Sequence, residues 1–550
     1  MLAVAELAPD LLLTRGVVHT VSERGSVSAL AVKDGRIAWL GATEAADALA
    51  GPGTRVVNLG GRAVVPGFVD SHNHALKAGL DLVKVQLGGA TTLDDLLAAV
   101  ADRAKILPDG AWVLASASWH EASLAEKRLP TRRELDAAAP RHPVYIPRGG
   151  HTAIVNSRAL ALAGLEDGAQ DPPGGALIRD PRTGRLTGQL FETPAMSLVA
   201  RLIPSPSFDE KVAALRRIQA VFNAVGITAV RDPGLVRFPG LDAEDFRAYL
   251  TLWKAGELTL RVTGMVGLPP GADPDQAMPA LERSALGSGF GDGWLRVGGI
   301  KLMTDGGVET AYLQAPYASD PTFTGVRVLE PDYLLAALRA ARRYGWATGV
   351  HAVGDAAVEM VTRAFETVHR EAPLTDQGWA VEHAILATPE QSRRLRDLGV
   401  FVTAQSVHLW KLGLNMVKHW GPARAHAAYP QRTWLDLGLR VAGGTDANVC
   451  PHDQLLTLHV DTTRETEQAG PLGPDQAIPP EAALRSHTRV AAECLGIGAW
   501  AGSLEPGRVA DFVILSDDPL GAPAGRLLKT RVLATVAGGR VVHRQDGSPL

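Results

Sequence analysis

Cysteine is nearly absent from this 550-residue chain, which contains only Cys450 and Cys494. Two cysteines cannot supply the disulfide framework of a small secreted protein, and a chain of this length can bury a core without one. Cysteine-rich metal sites are excluded as well, so a metal site here must use His, Asp, Glu or Lys. We therefore expect a protein of a reducing compartment, the cytoplasm.

A strong charge imbalance and long apolar runs are also lacking. The formal net charge is −4, and no basic run indicates binding to nucleic acid or to a membrane surface. No stretch approaches the roughly 18 apolar residues of a membrane span, and residues 1–10 lack the features of a secretory signal. We expect the partner to be a small-molecule substrate, with no nucleic acid and no membrane, and with a homodimer as one option for assembly.

Both chain ends have the short alternating patterns of β-strands. The predicted strands are 11–21, 28–33 and 36–40 near the start, and 511–515, 532–536 and 540–544 near the end. Asp34-Gly35 between two of them favours a type I′ hairpin turn. We predict one small β-sandwich domain composed of residues 1–63 and 496–550.

The region between the two ends, residues 64–495, alternates predicted strands with helices. The eight predicted strands are 64–74, 227–232, 258–266, 295–304, 346–351, 379–385, 401–405 and 439–446. This order is typical of an α/β protein with a (β/α)8 TIM barrel, in which active sites lie at the carboxyl ends of the strands.

A long insertion follows the first barrel strand. About 150 residues separate the first two predicted strands, far more than a crossover connection needs. We predict that residues of about 90–205 cover the barrel mouth and shape access to it. The alternative is a surface decoration away from the site.

Residues able to bind a metal occur at five of the eight predicted strands. The first strand ends in His-x-His, and side chains two apart on a strand point the same way. Each residue alone could be an ordinary core or turn residue, but together they predict a divalent metal site, since imidazole and carboxylate suit zinc. The set is His72, His74, Lys301, His351, His383 and Asp446.

Lys301 is the unusual member of this set because it lies inside an otherwise apolar strand. A buried lysine is costly unless it is neutral, paired or modified. One interpretation is an ion pair with a buried carboxylate such as Asp305 or Asp446. The other is an N-carboxylated lysine, whose carbamate can bridge two metal ions.

The motifs around these residues resemble the amidohydrolase superfamily, in particular its YtcJ-like branch (amidohydrolase 3), which includes N-substituted formamide deformylases. The first of them is Val-Pro-Gly-Phe-Val-Asp-Ser-His-Asn-His at 65–74. The other matching segments are 301–306, 351–356, 382–384 and 444–446 in the barrel, 149–153 and 156–160 in the insertion, and 502–512 near the end. The resemblance covers essentially the whole chain.

The resemblance implies a role for each predicted ligand. The two histidines of the first strand would hold the more buried of two ions, and Lys301 would be a carboxylated bridge. The histidines of the fifth and sixth strands would hold the second ion. Asp446 would contact metal and be the catalytic proton shuttle. One departure is Thr445, where the branch usually has serine; the hydroxyl is kept.

The reaction implied is hydrolysis of a C–N amide bond, of the N-substituted formamide or N-acyl amide type, by metal-activated hydroxide. One or two divalent ions per chain are expected, zinc by preference. A mononuclear heterocycle deaminase is an alternative, but such enzymes have a glutamate three residues after the fifth-strand histidine, where this chain has Gly354. An esterase or lactonase could use the same centre. A non-catalytic scaffold would have lost metal ligands, and none is missing here.

Six further residues are candidates for contacts with the substrate. Their competing interpretation is ordinary packing or hydrogen bonding, which we favour for all except the first. They are His151, Trp119, Asp305, Tyr312, Gln405 and His408.

Overall fold

A computed structural model describes residues 8–150, 152–172, 175–237, 243–268, 273–283, 287–374, 378–521 and 523–550. The chain divides into two compact units. One contains the residues up to His74, Gln219–Asp446 and His452–Leu550, and the other contains Ala75–Ile218 and Ala447–Pro451.

Two sheets in the first unit are built from the chain ends. The four-stranded sheet has the order Arg36–Gly41, Ala29–Lys33, Leu11–Thr14, Arg55–Asn58. The six-stranded sheet has the order Arg540–Arg544, Val532–Ala537, Phe512–Leu515, Ala63–Pro66, Val17–His19, Ser26–Val27. Antiparallel pairing of Pro66 with Phe512 joins the two ends in one sheet. Asp34 and Gly35 both have positive φ, 49° and 72°, as the predicted type I′ turn requires.

The predicted first barrel strand, 64–74, is wrong as a single strand. Ala63–Pro66 belongs to the six-stranded terminal sheet, and only Phe68–Asp70 belongs to the barrel. The break falls at Gly67, where an added Cβ would lie 2.2 Å from Thr228 Oγ1. The close approach of Thr228 therefore requires glycine at position 67. The terminal sheet extends to Pro66, beyond the predicted boundary at residue 63.

The barrel itself is an eight-stranded parallel sheet, as predicted. Its strands are Phe68–Asp70, Ile227–Arg237, Arg261–Gly267, Leu295–Met303, Ala347–Ala352, Ala380–His383, Phe401–Ala404 and Arg440–Gly443. The first and last strands meet where the Ser71 amide donates to the Gly443 carbonyl at 3.0 Å. This seam brings the carboxyl ends of strands one and eight together.

Helices surround the barrel strands and bury their outer faces. They are Phe208–Ala224, Glu244–Lys254, Pro274–Arg283, Pro331–Arg343, Asp355–Glu371, Pro389–Asp397, Val407–Trp420, Pro422–Ala427, Gln431–Leu437, Gln454–Thr463, Pro480–Arg485 and Ala491–Cys494, with a π-helical turn at Ser486–Val490. Trp346, Trp379 and Trp434 are fully buried in this layer. Apolar burial of this kind is the main free-energy source of the fold.

The second unit contains the insertion and has its own five-stranded sheet. The sheet order is Ala176–Arg179, Leu186–Phe191, Thr152–Val155, Val144–Arg148, Val113–Leu114. Its helices are Ala75–Asp81, Leu93–Ile106, Arg132–Ala138, Ser157–Leu162 and Glu192–Ala200. The unit is wider than the predicted 90–205, and the covering role of the insertion stays a prediction. In the described part of the chain, no helix has the length and apolar character to cross a bilayer.

Candidate metal centre

Histidines and one aspartate converge at the carboxyl ends of the barrel strands. Ligand atoms of His72, His383 and Asp446 lie within 4.8 Å of one another, and all three residues are buried. The His383 ring centroid lies 4.8 Å from that of His72 and 4.6 Å from that of His351. The His74 ring lies 5.4 Å from His72. Five of the six predicted ligands are therefore neighbours.

Lys301, the sixth predicted ligand, lies on the strand next to His351. It pairs with Gly349, and Met303 pairs with His351. Because side chains two apart on a strand share a face, Lys301 and His351 face the same side of the sheet. Burial lowers the pKa values of His351 and His383, and the Lys301 ammonium lowers both further.

Asp446 lies at the middle of the group. Its Oδ1 lies 3.6 Å from His72 Nε2 and 3.4 Å from His74 Nε2, and its Oδ2 lies 3.4 Å from His408 Nε2. The backbone at Asp446 has φ 56°, in the left-handed region that non-glycine residues rarely adopt. His383 shares this feature, with φ 70°. Such conformations persist where the surrounding structure imposes them, commonly at functional sites.

These separations fit a divalent ion better than direct hydrogen bonds. Hydrogen bonds to a carboxylate are about 2.7–2.9 Å long, shorter than the three contacts of Asp446. Two ligands of one tetrahedral zinc ion, each about 2.1 Å from the metal, are about 3.4 Å apart. The Oδ1 atom is buried and makes no hydrogen bond within the described residues. The donor set, imidazole nitrogen with carboxylate oxygen, suits zinc or a similar ion.

Glu382, directly beneath His72, orients that ligand. His72 Nδ1 donates to Glu382 Oε2 at 2.7 Å, while Arg231 Nη2 donates to Oε1 and Thr403 Oγ1 to Oε2, both at 2.5 Å. Burial alone would raise the pKa of Glu382, but Arg231 and His72 outweigh it and hold the pKa well below its usual range. The ionised carboxylate fixes the His72 proton on Nδ1, which leaves Nε2 for a metal.

A glycine makes room for this glutamate. A Cβ at Gly349 would lie 2.1 Å from Glu382 Oε1. Glycine on the neighbouring strand therefore lets the buried carboxylate occupy the barrel interior.

Gln405 orients His383 in the same way. His383 Nδ1 donates to Gln405 Oε1 at 2.7 Å, so the other ring nitrogen is available to a metal. Burial holds the pKa of His383 well below its usual range and, together with the Lys301 ammonium, lowers the pKa of His351 to about 3. For Asp446, burial would raise the pKa, but His408 and His74 outweigh it and keep it well below normal. At neutral pH the imidazoles of His351 and His383 are therefore neutral, and Asp446 is a carboxylate.

Asp70 connects the first and last strands below the ligands. Its carboxylate accepts from Thr445 Oγ1 at 2.6 Å, from the Thr445 amide at 3.0 Å and from Asn73 Nδ2 at 2.8 Å. A Cβ at Gly444 would lie 2.9 Å from Asp70 Oδ1. The Asp446 amide donates to the His72 carbonyl at 2.8 Å. These contacts fix the spacing between the two ligand-bearing loops.

Besides Gln405, which binds His383, two of the predicted substrate contacts have other partners in the structure. His408 Nδ1 is 2.8 Å from the Tyr429 hydroxyl, so its other nitrogen faces Asp446. Asp305 is fully buried and accepts from the amides of Val353 at 3.0 Å and Gly354 at 2.8 Å, and its Oδ1 lies 3.4 Å from His351 Nε2. Asp305 thus holds the loop after the fifth strand beside a predicted ligand, and a direct contact with substrate stays a prediction.

For the remaining candidates, Trp119, Tyr312 and His151, contact with the substrate stays a prediction. Trp119 is 4% exposed, packs in the core of the insertion and donates its indole N–H to the Pro147 carbonyl at 2.8 Å. Tyr312 lines a cavity of about 1020 Å³ that none of the predicted metal ligands lines. His151 lies outside the described residues.

A buried network around His487 was not predicted from sequence. His487 contacts Gln454 Oε1 at 2.9 Å and Asp461 Oδ2 at 3.0 Å. Gln454 Nε2 in turn lies 3.5 Å from Asp70 Oδ2. A Cβ at Gly443 would meet the His487 ring at 2.4 Å. The network therefore packs against Gly443 of the last barrel strand. The π-helical turn that carries His487 is a feature often found near functional sites.

Comparison with known proteins gives a consistent result over nearly the whole chain. The model of the amidohydrolase family matches residues 55–543. An N-substituted formamide deformylase of Arthrobacter pascens is 29% identical, covering 98% of this chain and 99% of its own. Putative amidohydrolase YtcJ of Bacillus subtilis is 28% identical, covering 96% and 99%. Protein LONG AFTER FAR-RED 3 of Arabidopsis thaliana is 30% identical, covering 98% and 92%.

A solved structure has the same architecture. An uncharacterised metal-dependent hydrolase from Pyrococcus horikoshii superimposes with a TM-score of 0.74 at 26% identity, covering 94% of this chain and 99% of its own. Because the superposition covers 94% of this chain, the likeness includes the terminal sheets, the barrel and the insertion.

Proposed function

The chain belongs to the amidohydrolase family and is a hydrolase acting on non-peptide C–N bonds, and we propose that it cleaves N-substituted formamides or related N-acyl amides. The observation that carries this proposal is the convergence of His72, His383 and Asp446 within 4.8 Å at the carboxyl end of the barrel. The formamide class is supported by the 29% identity to the Arthrobacter pascens deformylase over almost the entire chain.

We propose zinc as the metal, with one or two ions per chain held by Asp446 and by the predicted ligands His72, His74, His351 and His383. When bound, such an ion lowers the pKa of a water molecule toward 7 and polarises a carbonyl group. Glu382 and Gln405 hold the proton of their histidine partners on Nδ1, so that the ring faces its ligand position.

Asp446 is the proposed proton carrier. Its carboxylate is ionised at neutral pH, so it accepts a proton at Oδ from the attacking water and then donates it to the departing nitrogen. His408, held by the Tyr429 hydroxyl, faces Oδ2 at 3.4 Å and orients the carboxylate. One group thus performs both proton transfers that amide cleavage requires.

Lys301 is proposed to be N-carboxylated, forming the bridge of a two-ion centre. An ammonium at this position would add positive charge on the face of the sheet that Lys301 shares with His351. A carbamate reverses that charge and supplies anionic oxygens. Intact-mass measurement in bicarbonate buffer should detect the added mass of one CO2, and its loss in Lys301→Ala. Unmodified Lys301 with a single bound ion, in bicarbonate, would contradict this assignment.

The substrate class is tested by assaying zinc-loaded enzyme on four kinds of compound side by side. These are N-benzylformamide and related formamides, N-acyl amino acids, aryl esters, and lactones. We expect the highest kcat/KM on a formamide and no turnover after removal of the metal by a chelator. A clear preference for esters or lactones would overturn the amide proposal and leave the hydrolase assignment intact, since the attacking water is the same.

A further inference from the structure

The opposite end of the barrel interior contains a second cavity, of about 700 Å³. Its lining includes Ala347, Phe401 and Arg440, each the first residue of a barrel strand, so the cavity lies at the amino-terminal ends of the strands. The helical segment around Cys494 lines another side. None of the predicted metal ligands lines this cavity.

Two arginines of this cavity lack a carboxylate partner. In the part of the chain that the structure describes, Arg296 and Arg440 form no ion pair. Arg296 donates to the carbonyls of Gly496 at 3.0 Å and Gly289 at 3.4 Å. Arg440 donates to a carbonyl of Gly399 and stacks on Phe401, with its guanidinium carbon 3.9 Å from the ring centroid. Both are only partly exposed, so water compensates their charges incompletely.

The other ionisable groups of the cavity do not neutralise these charges. Glu493 is paired with Arg489 at 3.4 Å on its own helix. Burial raises the pKa of Cys494 to about 11, so the thiol is neutral at physiological pH. Arg231 also lines the cavity, but its charge is matched by Glu382 at 2.5 Å. Burial lowers the pKa of Arg296, which reflects an uncompensated positive charge.

We propose that this basic cavity, defined by Arg296 and Arg440, binds a small dianionic oxyanion, a phosphate or a dicarboxylate. Guanidinium groups bind such anions through parallel N–H donors, and partial burial strengthens the attraction. The volume lies within the range of small-molecule sites. The ligand would lie at the end of the barrel opposite to the metal centre, so this site is separate from the one that holds the amide substrate.

Isothermal titration of the zinc-loaded enzyme with inorganic phosphate and with malonate, in chloride buffer, tests the proposal. We expect Arg296→Gln combined with Arg440→Gln to raise the Kd of the bound dianion at least tenfold. Phosphate binding alone assigns a phosphoryl group and malonate binding alone a dicarboxylate. If neither anion binds, or if the double variant binds as tightly as the unaltered enzyme, the proposal fails.

The matched control is Arg343→Gln combined with Arg526→Gln. These arginines are exposed and paired with carboxylates, so the control removes the same net charge without touching the cavity. Any phosphate bound by zinc is common to all variants and cancels in the comparison. If the double variant does not fold, crystals of the unaltered enzyme can be soaked in tungstate, and the anomalous signal of tungsten then locates the bound anion. An anomalous peak beside Arg296 and Arg440 supports the site, whereas peaks confined to the metal centre overturn it.

Discussion

The two ends of the barrel interior are built from opposite chemistry. At the carboxyl ends of the strands, histidines surround the Asp446 carboxylate, and this set of groups suits a divalent cation. At the amino ends, Arg296 and Arg440 form no ion pair within the described residues and face a cavity suited to an anion. The difference shows that one scaffold can keep two charged sites apart by placing them at the two ends of its strands.

Arg231 and Glu382 lie between these ends. Arg231 lines the basic cavity, donates to Glu382 at 2.5 Å, and Glu382 accepts from His72 at 2.7 Å. This buried pair therefore separates a cationic environment from a metal ligand. A buried pair is costly to break from one side because the remaining charge is left uncompensated.

The largest effect is expected from Asp446→Asn, which removes the proton carrier from the metal end only. An amide oxygen can still bind metal weakly but cannot accept a proton from water. We expect kcat/KM to fall by about 10³-fold, with most of the zinc retained by elemental analysis. The control is Asp436→Asn, an exposed aspartate that lies near Arg432. Residual activity above a few per cent across pH would require a different base.

The next effect comes from Glu382→Gln, which disturbs the pair between the two ends. The neutral glutamine cannot compensate the charge of Arg231, and it accepts from His72 more weakly than a carboxylate does, so zinc affinity should fall by about 10–100-fold. Glu371→Gln is a close control, because Glu371 accepts from Arg339 at the same 2.5 Å but is 46% exposed. Exposed pairs contribute at most about 1 kcal/mol. Competition with a chromophoric chelator measures the zinc affinity of both variants. If Glu382→Gln and Glu371→Gln bind zinc equally tightly, the proposed role of Glu382 is refuted.

Gly349→Ala perturbs the same pair without changing any charge. The added methyl would lie 2.1 Å from Glu382 Oε1, so the carboxylate must shift away from Arg231 or His72. We expect zinc affinity to fall by less than in Glu382→Gln, roughly tenfold. Gly53→Ala, where an added Cβ meets nothing within 4 Å, should leave affinity unchanged. If both alanine variants bind zinc normally, the Glu382 carboxylate has room for the added methyl group and the prediction is wrong.

The last prediction concerns the acid stability of the metal-free protein rather than turnover or metal binding. Because the pKa of His351 is lowered to about 3, the folded state keeps this imidazole neutral while the unfolded state takes up a proton below about pH 6.5. The free energy of unfolding should therefore fall as pH decreases, by about 2 kcal/mol between pH 6.5 and 5 from this residue. In urea titrations, the free energy of unfolding of His351→Gln should depend less steeply on pH than that of the unaltered protein. An equally steep dependence would contradict this prediction.

Sequence reasoning selected residues at the strand ends, and the structure brings five of the six predicted ligands together there. Lys301 was recognised as a charged residue inside an apolar strand. Arg231 and Glu382 are also charged residues inside strands, so the same argument would have indicated a role for them. They were not recognised because strand alternation predicts that Glu382 faces away from the site. Glu382 and His383 are adjacent and should face opposite sides, but the positive φ of 70° at His383 breaks the alternation and turns both inward.

Other features depended on tertiary packing that no local pattern reports. Trp119, a candidate for contact with the substrate, packs in the core of the insertion, and that contact stays a prediction. The basic cavity combines the starts of several strands with a helix near the chain end, so its arginines are far apart in sequence. The break at Gly67 depended on the approach of Thr228 from the second barrel strand.

The seam between Ser71 and Gly443 has a consequence for the order of events during synthesis. His72 and Asp446 belong to the first and last barrel strands, so these two ligands come together only after the ribosome has made nearly the whole chain and the barrel has closed. A half-made chain lacks the assembled site and cannot hold the ion tightly. Metal therefore loads onto a finished barrel and stabilises it by mass action, rather than acting as a template for its folding.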